Sequence, residues 1–339
     1  MRRRSIVALT ACAGILLLST AAAPAAARPA AASEGGSTFA VIGDTPYGDA
    51  ALAAFPAQIG QINADRRVSW VNHLGDIKNG SSVCSDTYFA QIKQDFDTFA
   101  DPLVYTIGDN EWTDCHRPSN GSYNPLERLA KVRQVFFPEP GRTLGRPAPV
   151  LSYASDGYPE NIRYVHSRVS FASVHIVGSN NSMAPWTGHT TATPEQTAEV
   201  LGRTAAAIRT IHDAFVEARK RHLASVVLLT QADMFDPTVS NPPFADYYAF
   251  EPIVQAIARE SAAFRGPVYL FNGDSHVFHI DRPLAADSDW LAFYHVPSVA
   301  ANLHRITVDG SGNATDYLRV TIHPNDAAVL SWTRVPFTN

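Results

Sequence analysis

Four predicted β-strands end in the dipeptide Gly-Asp, and these aspartates are the residues best placed for chemistry. The four pairs are Gly43-Asp44, Gly75-Asp76, Gly108-Asp109 and Gly273-Asp274. Glycine permits a sharp turn out of a strand, and the aspartate then projects from the strand tip. Because ligands of an open α/β sheet bind beyond the carboxyl ends of the strands, four carboxylates would converge in one crevice if these strands are neighbours.

Carboxylates that share a crevice repel one another unless protons, basic residues or cations neutralise them. Together with the imidazole of His276 they suit divalent metal ions. Two such ions a few ångströms apart would serve phosphoryl or phosphodiester hydrolysis. Each Gly-Asp can also be an ordinary turn in which the aspartate caps its own backbone. Four of them, each at a predicted strand end, favour the metal site.

The order of the motifs resembles that of the calcineurin-like metallophosphoesterases. That family reads Asp-x-His, Gly-Asp, Gly-Asn-His-Asp/Glu, a lone His after a strand, and Gly-His-x-His. The similarity runs from about Phe39 to His276. The matching segments are Gly43-Asp44, Gly75-Asp76, Gly108-Asp109-Asn110-Glu111, the strand end at Gln231, and Gly273-Asp274-Ser275-His276. The segment from Gly43 to Tyr47 also resembles the Gly-Asp-x-x-Tyr signature of purple acid phosphatases, which occupies the second motif position there.

The resemblance implies metal ligands at Asp44, Asp76, Asp109, Gln231, Asp274 and His276. Asp44 would bind the first metal, and Asp76 would bridge. Several family imidazoles are replaced: Pro46 cannot ligate, whereas Gln231 and Asp274 still offer oxygen. An oxygen-rich site favours hard ions, so we expect one or two divalent ions, Mn, Mg, Ca or Fe rather than Zn.

The catalytic histidine of the family falls on Asn110, which cannot act as a general acid. A proton for the leaving group must then come from another residue, and the candidates on the strand-tip loops are Tyr47, Glu111 and His116. His73, just before Gly75, is interpreted as a core residue or one that orients a ligand. At the end of another strand, Asn180 either reaches the site or forms a plain turn.

Short apolar strands alternate with helical patterns, which indicates βαβ units and a largely parallel sheet. Strands are predicted at 38–42, 68–74, 103–107, 169–177, 226–229 and 268–271, and helices at 50–64, 85–100, 126–136, 193–222 and 247–264. Thr193, Pro194 and Gln196 suit the N-cap, first helical position and capping box of the longest helix. Residues 138–149 are interpreted as an exposed loop, and 290–333 as antiparallel strands of a second sheet.

We therefore predict an α/β fold of two packed mixed sheets flanked by helices, the four-layer α/β/β/α sandwich that the resemblance implies. A single domain is predicted over residues 36–335. Residues 1–32 are interpreted as a signal peptide with an Ala-rich leader, because a basic head precedes a short apolar core and a small-residue exit. Arg3-Arg4 also fits a twin-arginine signal beside the Sec alternative. The prediction is a secreted or extracytoplasmic protein without a membrane span in its mature form.

The formal net charge is -5, so the chain lacks the basic footprint of a nucleic-acid-binding protein. The expected partner is a small phosphorylated substrate, and the oligomeric state stays open. Cys84 and Cys115 remain once the signal peptide is removed. In an oxidising compartment an even pair predicts a disulfide, with two separate thiols as the alternative.

The main functional hypothesis is a metal-dependent phosphoric ester hydrolase that cleaves a phosphate mono- or diester with a metal-activated water. The alternative is a catalytically impaired relative that binds metal or a phosphorylated ligand without turnover. Asn110 and Gln231 favour this alternative, whereas the retained carboxylates favour the enzyme. A third hypothesis, a serine esterase built on Ser275, is disfavoured because its Gly-Asp-Ser block belongs near an N-terminus.

Overall fold

Two mixed β-sheets face each other in residues 37–338, the part of the chain that the computed structural model describes. The predicted signal peptide lies outside the described residues. The strands of the first sheet are β1 (Thr38–Ile42), β2 (Val68–His73), β3 (Pro102–Tyr105), β4 (Leu144–Gly145), β12 (Asp316–Ile322) and β13 (Leu330–Pro336). Their order is β13-β12-β1-β2-β3-β4. Only β1, β2 and β3 run parallel to one another, and the outer strands are antiparallel.

The second sheet repeats this plan of a parallel centre with antiparallel edges. Its strands are β5 (Leu151–Tyr153), β6 (Tyr158–His166), β7 (Val169–Ser173), β8 (Ser225–Leu229), β9 (Val268–Asn272), β10 (His279–Asp281) and β11 (Leu303–Thr307). Their order is β10-β11-β9-β8-β7-β6-β5. The strands β7, β8, β9 and β11 are parallel, which brings the carboxyl ends of all four to one edge.

Helices cover the outer face of each sheet. The helices are α1 (Gly48–Ala64), α2 (Asp86–Phe96), α3 (Pro125–Phe136), α4 (Gly178–Ser182), α5 (Pro194–Lys220), α6 (Glu251–Ala262) and α7 (Trp290–Phe293). The predicted start of α5 is confirmed. Thr193 Oγ1 accepts the Gln196 N–H at 3.1 Å, and Gln196 Oε1 accepts the Thr193 N–H at 3.2 Å. None of the helices in this part of the chain is long and apolar enough to cross a membrane.

Side-chain alternation along β1 shows how the layers are built. Phe39 packs against Phe171 and Phe271 of the second sheet, with ring centroids 5.3 and 6.0 Å apart. Ala40 and Ile42 point to the other face and join the cluster formed by α1, α2 and α3. On the far side, α5 and α6 pack on the second sheet. The predicted four-layer order of helices, sheet, sheet and helices is therefore observed.

Three local predictions were wrong. Residues 290–333 do not form a separate sheet: they contain α7 and β11, while β12 extends the first sheet antiparallel to β1. The strand predicted over 169–177 ends at Ser173, because the chain then turns across the strand tips. Within the predicted loop 138–149, β4 pairs with β3. The predicted domain boundaries, 36–335, stay a prediction.

Candidate metal centre

The carboxylates predicted at the strand tips meet at one end of the two sheets. Asp44, Asp76 and Asp109 follow β1, β2 and β3 and are buried, whereas Asp274 follows β9 and is partly exposed. Their oxygens and one imidazole form two overlapping groups, each with ligand atoms within 4.8 Å of one another. The groups are Asp44–Asp76–His276 and Asp76–Asp109–Asp274.

The glycines of the motifs make room for these carboxylates. A Cβ on Gly108 would collide with Asp76 Oδ1, and a Cβ on Gly273 would collide with Asp44 Oδ2. The turn itself is made mostly by the aspartates, because Asp44, Asp76 and Asp274 have φ of 49°, 55° and 74°. Gly108 and Gly273 are thus needed for close approach of a neighbouring carboxylate, whereas Asp44, Asp76 and Asp274 adopt the left-handed backbone themselves.

The first group contains the imidazole. His276 Nε2 lies 3.4 Å from Asp44 Oδ1 and 3.5 Å from the Tyr47 hydroxyl. The Asp44 carboxylate accepts the Asp274 N–H at 3.0 Å. Burial would lower the pKa of His276, but Asp44 outweighs it and the net direction is upward. Burial raises the pKa of Asp44 despite the nearby imidazole. The group combines two carboxylates and one imidazole, a donor set that suits a divalent ion.

The second group is joined by an amide. Gln231 Nε2 lies 3.3 Å from Asp76 Oδ2, 3.2 Å from Asp109 Oδ1 and 3.0 Å from Asp274 Oδ1. Its Oε1 accepts the Gly178 N–H at 2.8 Å, which fixes the direction of the amide. The structure therefore presents Gln231 as a donor to the carboxylates. This geometry departs from the predicted role as an oxygen ligand, because the amide oxygen is turned away.

Asp76 is the carboxylate that both groups share. It accepts the Tyr47 hydroxyl at 2.9 Å and the Asn110 Nδ2 at 2.7 Å, both at Oδ2. Burial and the charges of Asp109 and Glu111 raise the pKa of Asp76 well above its ordinary value. A negative charge here is therefore costly without a cation.

Basic side chains near the centre are already engaged elsewhere. Among residues 37–338, no Arg or Lys forms an ion pair with any of the four aspartates. The Lys78 ammonium binds the carbonyls of Asn79 and Asn110 at 2.9 and 2.7 Å. Arg117 pairs with Asp114 at 2.6 Å. Apart from the His276 ring beside Asp44, the four aspartates have no basic partner among residues 37–338, and their oxygens together with this imidazole fit a bound cation.

Of the three predicted proton donors, Tyr47 lies among the carboxylates, whereas Glu111 and His116 bind other groups. The Tyr47 hydroxyl lies among the carboxylates, and burial followed by the charge of Asp76 raises the pKa of this phenol. Glu111 lies behind the tips, where its Oε1 accepts the Gly108 N–H at 2.6 Å and the Asp76 N–H at 3.2 Å. Burial raises the pKa of Glu111 to about 7. His116 instead contacts Thr187, whose N–H it accepts at 2.8 Å.

His73 is buried and binds the backbone beside the first two strand tips. Its Nε2 lies 2.9 Å from the Thr45 carbonyl, and its Nδ1 accepts the Gly75 N–H at 3.2 Å. Burial lowers the pKa of His73 to about 4, so the ring is neutral at physiological pH. The predicted disulfide between Cys84 and Cys115 is confirmed, and both sulfurs lie near the Asn110 carbonyl, at 3.6 and 3.7 Å.

Sequence reasoning missed Ser179. Its hydroxyl lies 2.9 Å from Asp109 Oδ2 and 3.1 Å from Asp114 Oδ1. Ser179, Asn180 and Asn181 have φ of 53°, 55° and 51°, so α4 is a left-handed turn. Asparagine tolerates this conformation best among residues with a side chain, which was the available signal. The Asn180 amide binds the backbone of Ala245 and Ala249, away from the four aspartates.

Fold and site together define an α/β sandwich with a carboxylate centre at its strand tips. No protein-family model matches the chain, and no curated protein matches it. Among solved structures, the chain is similar to the sulfate thiohydrolase SoxB of Thermus thermophilus in complex with glycerol. The identity is 14%, the match covers 84% of this chain and 42% of SoxB, and the TM-score is 0.39.

Two further structures are similar at the level of the fold. GAP50, the anchor in the inner membrane complex of Plasmodium, is 8% identical, with 90% of each chain covered and a TM-score of 0.43. The purple acid phosphatase PPD1 from yellow lupin (Lupinus luteus) seeds is 10% identical, with 88% of this chain and 53% of PPD1 covered and a TM-score of 0.43. The chain thus spans about half or less of the length of SoxB and of PPD1.

Proposed function

We propose that this chain is an extracytoplasmic, metal-dependent phosphoric ester hydrolase that uses water to cleave a phosphate mono- or diester. The observation that supports this best is the meeting of four strand-tip aspartates and His276 without an Arg or Lys counter-ion among the described residues. An arrangement that stores this much negative charge is costly unless a cation binds. The predicted signal peptide and the Cys84–Cys115 disulfide support the extracytoplasmic location.

A single divalent ion, Mn, Mg, Ca or Fe, is proposed at Asp44, Asp76 and His276. When bound, such an ion polarises a phosphoryl oxygen and makes water a better nucleophile. One ion is favoured over two because the Gln231 amide nitrogen already contacts Asp76, Asp109 and Asp274. The ligand roles of the aspartates and of His276 are thus part of the proposal.

Tyr47 and Asn110 are proposed to hold the phosphoryl group. Both side chains direct a hydrogen-bond donor at the same oxygen, Asp76 Oδ2. In the complex, these donors would turn to the phosphoryl oxygens, where negative charge develops in the transition state. The Tyr47 hydroxyl already lies among the carboxylates, where its proton would be beside the phosphoryl group. Of the three predicted proton donors it is therefore the one we propose; Glu111 and His116 serve other contacts.

The second candidate function is binding of metal or a phosphorylated ligand without turnover. The observation that favours it is chemical: Asn110 and Gln231 carry amides where the resembled family carries imidazoles, so neither can exchange a proton at neutral pH. The carboxylates that would bind the cation are the same in both candidates.

Turnover of generic phosphate esters separates the two functions. Protein purified without chelator is assayed for metal content and then for release of p-nitrophenol from p-nitrophenyl phosphate and bis(p-nitrophenyl) phosphate, with Mn²⁺, Mg²⁺, Ca²⁺ or Fe²⁺. We expect metal-dependent release that Asp76→Asn lowers by at least about 100-fold. Asp95→Asn, a buried aspartate of α2 outside the centre, is the matched control and keeps its activity.

Three outcomes distinguish the two candidate functions. Metal binding with turnover supports the hydrolase. Metal binding without turnover of either ester, by any of the four ions, supports the binding function and contradicts the hydrolase. Failure of the protein to bind any of the ions contradicts the hydrolase and the metal-binding function, because the carboxylates would then be neutralised by protons.

A further inference from the structure

A cavity of about 580 Å³ opens directly beside the carboxylate centre. Asp274 and Ser179 belong both to the centre and to the lining of the cavity. The other walls come from the loop after α4 and from the segment between β8 and α6. This volume lies within the range of small-molecule sites, so the cavity is large enough for the organic portion of a small ester.

The charged side chains that line this cavity are all acidic. Its lining includes Asp233, Asp236, Asp246 and Asp274, and no Lys, Arg or His. Asp233 is neutralised by an ion pair with the buried Arg305. Asp236 accepts hydrogen bonds from the Thr238 N–H and hydroxyl at 2.7 and 2.6 Å, but it has no cationic partner among residues 37–338. Asp246 also has no cationic partner in that part of the chain, and it is exposed.

Aromatic rings line the cavity together with these carboxylates. Tyr247, Tyr248 and Phe250 line the same cavity, and the rings of Tyr247 and Phe250 lie 6.1 Å apart. Burial, and then the charges of Asp236 and Asp274, raise the pKa of Tyr247. The tyrosine therefore remains neutral and presents an uncharged aromatic ring in a negative field. Aromatic faces beside carboxylates are the surroundings that attract organic cations.

We propose that this cavity binds the alcohol portion of the substrate and that this portion carries a positive charge, such as an ammonium group. The proposal rests on the proposed function for the position of the phosphate at the carboxylate centre. Hydrolysis would break the P–O bond to the amino alcohol; water supplies the new oxygen on phosphorus, and a proton ends on the released alcohol. A second phosphate or a carboxylate on the alcohol portion would meet Asp236 and Asp246 and be repelled.

A pair of probes of equal shape tests the charge alone. Choline and 3,3-dimethylbutanol differ in having N⁺ or carbon at the branch point, and their phosphate monoesters form the matching substrate pair. By calorimetry with the Mn²⁺-loaded protein, choline is expected to bind about tenfold more tightly than the neutral alcohol. Phosphocholine is expected to be hydrolysed with a kcat/KM about tenfold above that of 3,3-dimethylbutyl phosphate.

The variant Asp246→Asn removes one charge from the wall of the cavity and is expected to lower the preference for choline by about threefold or more. Asp287→Asn, an exposed aspartate outside the cavity lining, is the control and leaves the preference unchanged. Equal binding of choline and 3,3-dimethylbutanol would overturn the inference, and so would a preference that Asp246→Asn does not change. Preferential binding of choline without hydrolysis of any ester would support the cavity inference while contradicting the hydrolase.

Discussion

The two halves of the carboxylate centre differ in their carboxylates, two against three, and in the nitrogen-bearing side chain that contacts them. The imidazole half, Asp44–Asp76–His276, places a ring nitrogen 3.4 Å from a carboxylate. In the amide half, Asp76–Asp109–Asp274, the Gln231 nitrogen lies 3.0 to 3.3 Å from all three carboxylates. An imidazole can give up its proton and bind a metal, whereas an amide nitrogen can only donate. The Gln231 amide thus ties its half into an internal hydrogen-bond network, whereas the imidazole leaves the other half able to bind a cation.

The largest effect is expected where the halves overlap. Asp76→Asn removes the shared carboxylate, so we expect Mn²⁺ affinity to fall on the order of a thousandfold, or about 4 kcal/mol. The metal-free variant should gain stability, because one of several repelling charges is gone. Calorimetry with Mn²⁺ and thermal unfolding with and without the ion measure both. Mn²⁺ affinity equal to that of the natural sequence would show that neither half binds metal through Asp76.

One variant in each half tests which half binds the metal ion. His276→Ala is expected to weaken Mn²⁺ binding by about 100-fold, because the imidazole half loses a ligand. Asp109→Asn should change it by less than about threefold, since Gln231 already occupies that half. The same calorimetric titration serves both proteins. A larger loss in Asp109→Asn than in His276→Ala would reverse our assignment of the metal-binding half.

Introducing an imidazole into the amide half should add a metal. For Gln231→His we expect about one further equivalent of Mn²⁺, because a ring nitrogen replaces the amide donor beside Asp76, Asp109 and Asp274. Elemental analysis after gel filtration gives the count. Gln58→His on α1 adds a histidine away from the centre and controls for adventitious binding. An unchanged count in Gln231→His would mean that the amide is not what limits the number of ions.

The smallest expected effect belongs to Ser179, at the rim of the amide half. Ser179→Ala removes a hydroxyl 2.9 Å from Asp109 Oδ2 and should cost about 1 kcal/mol of unfolding free energy. Ser179→Gly loses the same hydroxyl but adopts a φ of 53° with less strain, so its cost should be lower. Chemical denaturation measures both. Equal costs would mean that the left-handed backbone stores little strain.

Local signals made most of the fold predictable. The limits of β1 agree with the prediction, because an apolar run is bounded by Gly43, and α5 begins where its capping box places it. The position of the C-terminal strands was not predictable from local signals. Strand β12 joins the first sheet through the pairing of Phe39 with Val320, and no short-range pattern specifies a partner so distant in the chain.

The carboxylate centre, like the fold, was only partly predictable from local sequence signals. Gly-Asp at strand ends was enough to predict that Asp44, Asp76 and Asp109 would converge, because the neighbouring parallel strands β1, β2 and β3 share an edge. Asp274 follows β9 of the second sheet, so only the packing of the two sheets brings it to the other three. The direction of the Gln231 amide was not predictable, since it is set by the Gly178 N–H at the start of a left-handed turn. A glutamine side chain has both an acceptor oxygen and a donor nitrogen. Only the turn that begins at Gly178 decides which of the two faces the carboxylates in Gln231.

The disulfide has a practical consequence for anyone who produces this protein. Cys84 and Cys115 join the segments that follow Asp76 and Asp109, and the Asn110 carbonyl lies beside both sulfurs. Chains made in a thiol-rich host cytoplasm would lack this link, and the two segments would be held only by noncovalent contacts. Material from an oxidising export route and material from a cytoplasmic preparation should therefore be treated as different samples when metal content or turnover is compared.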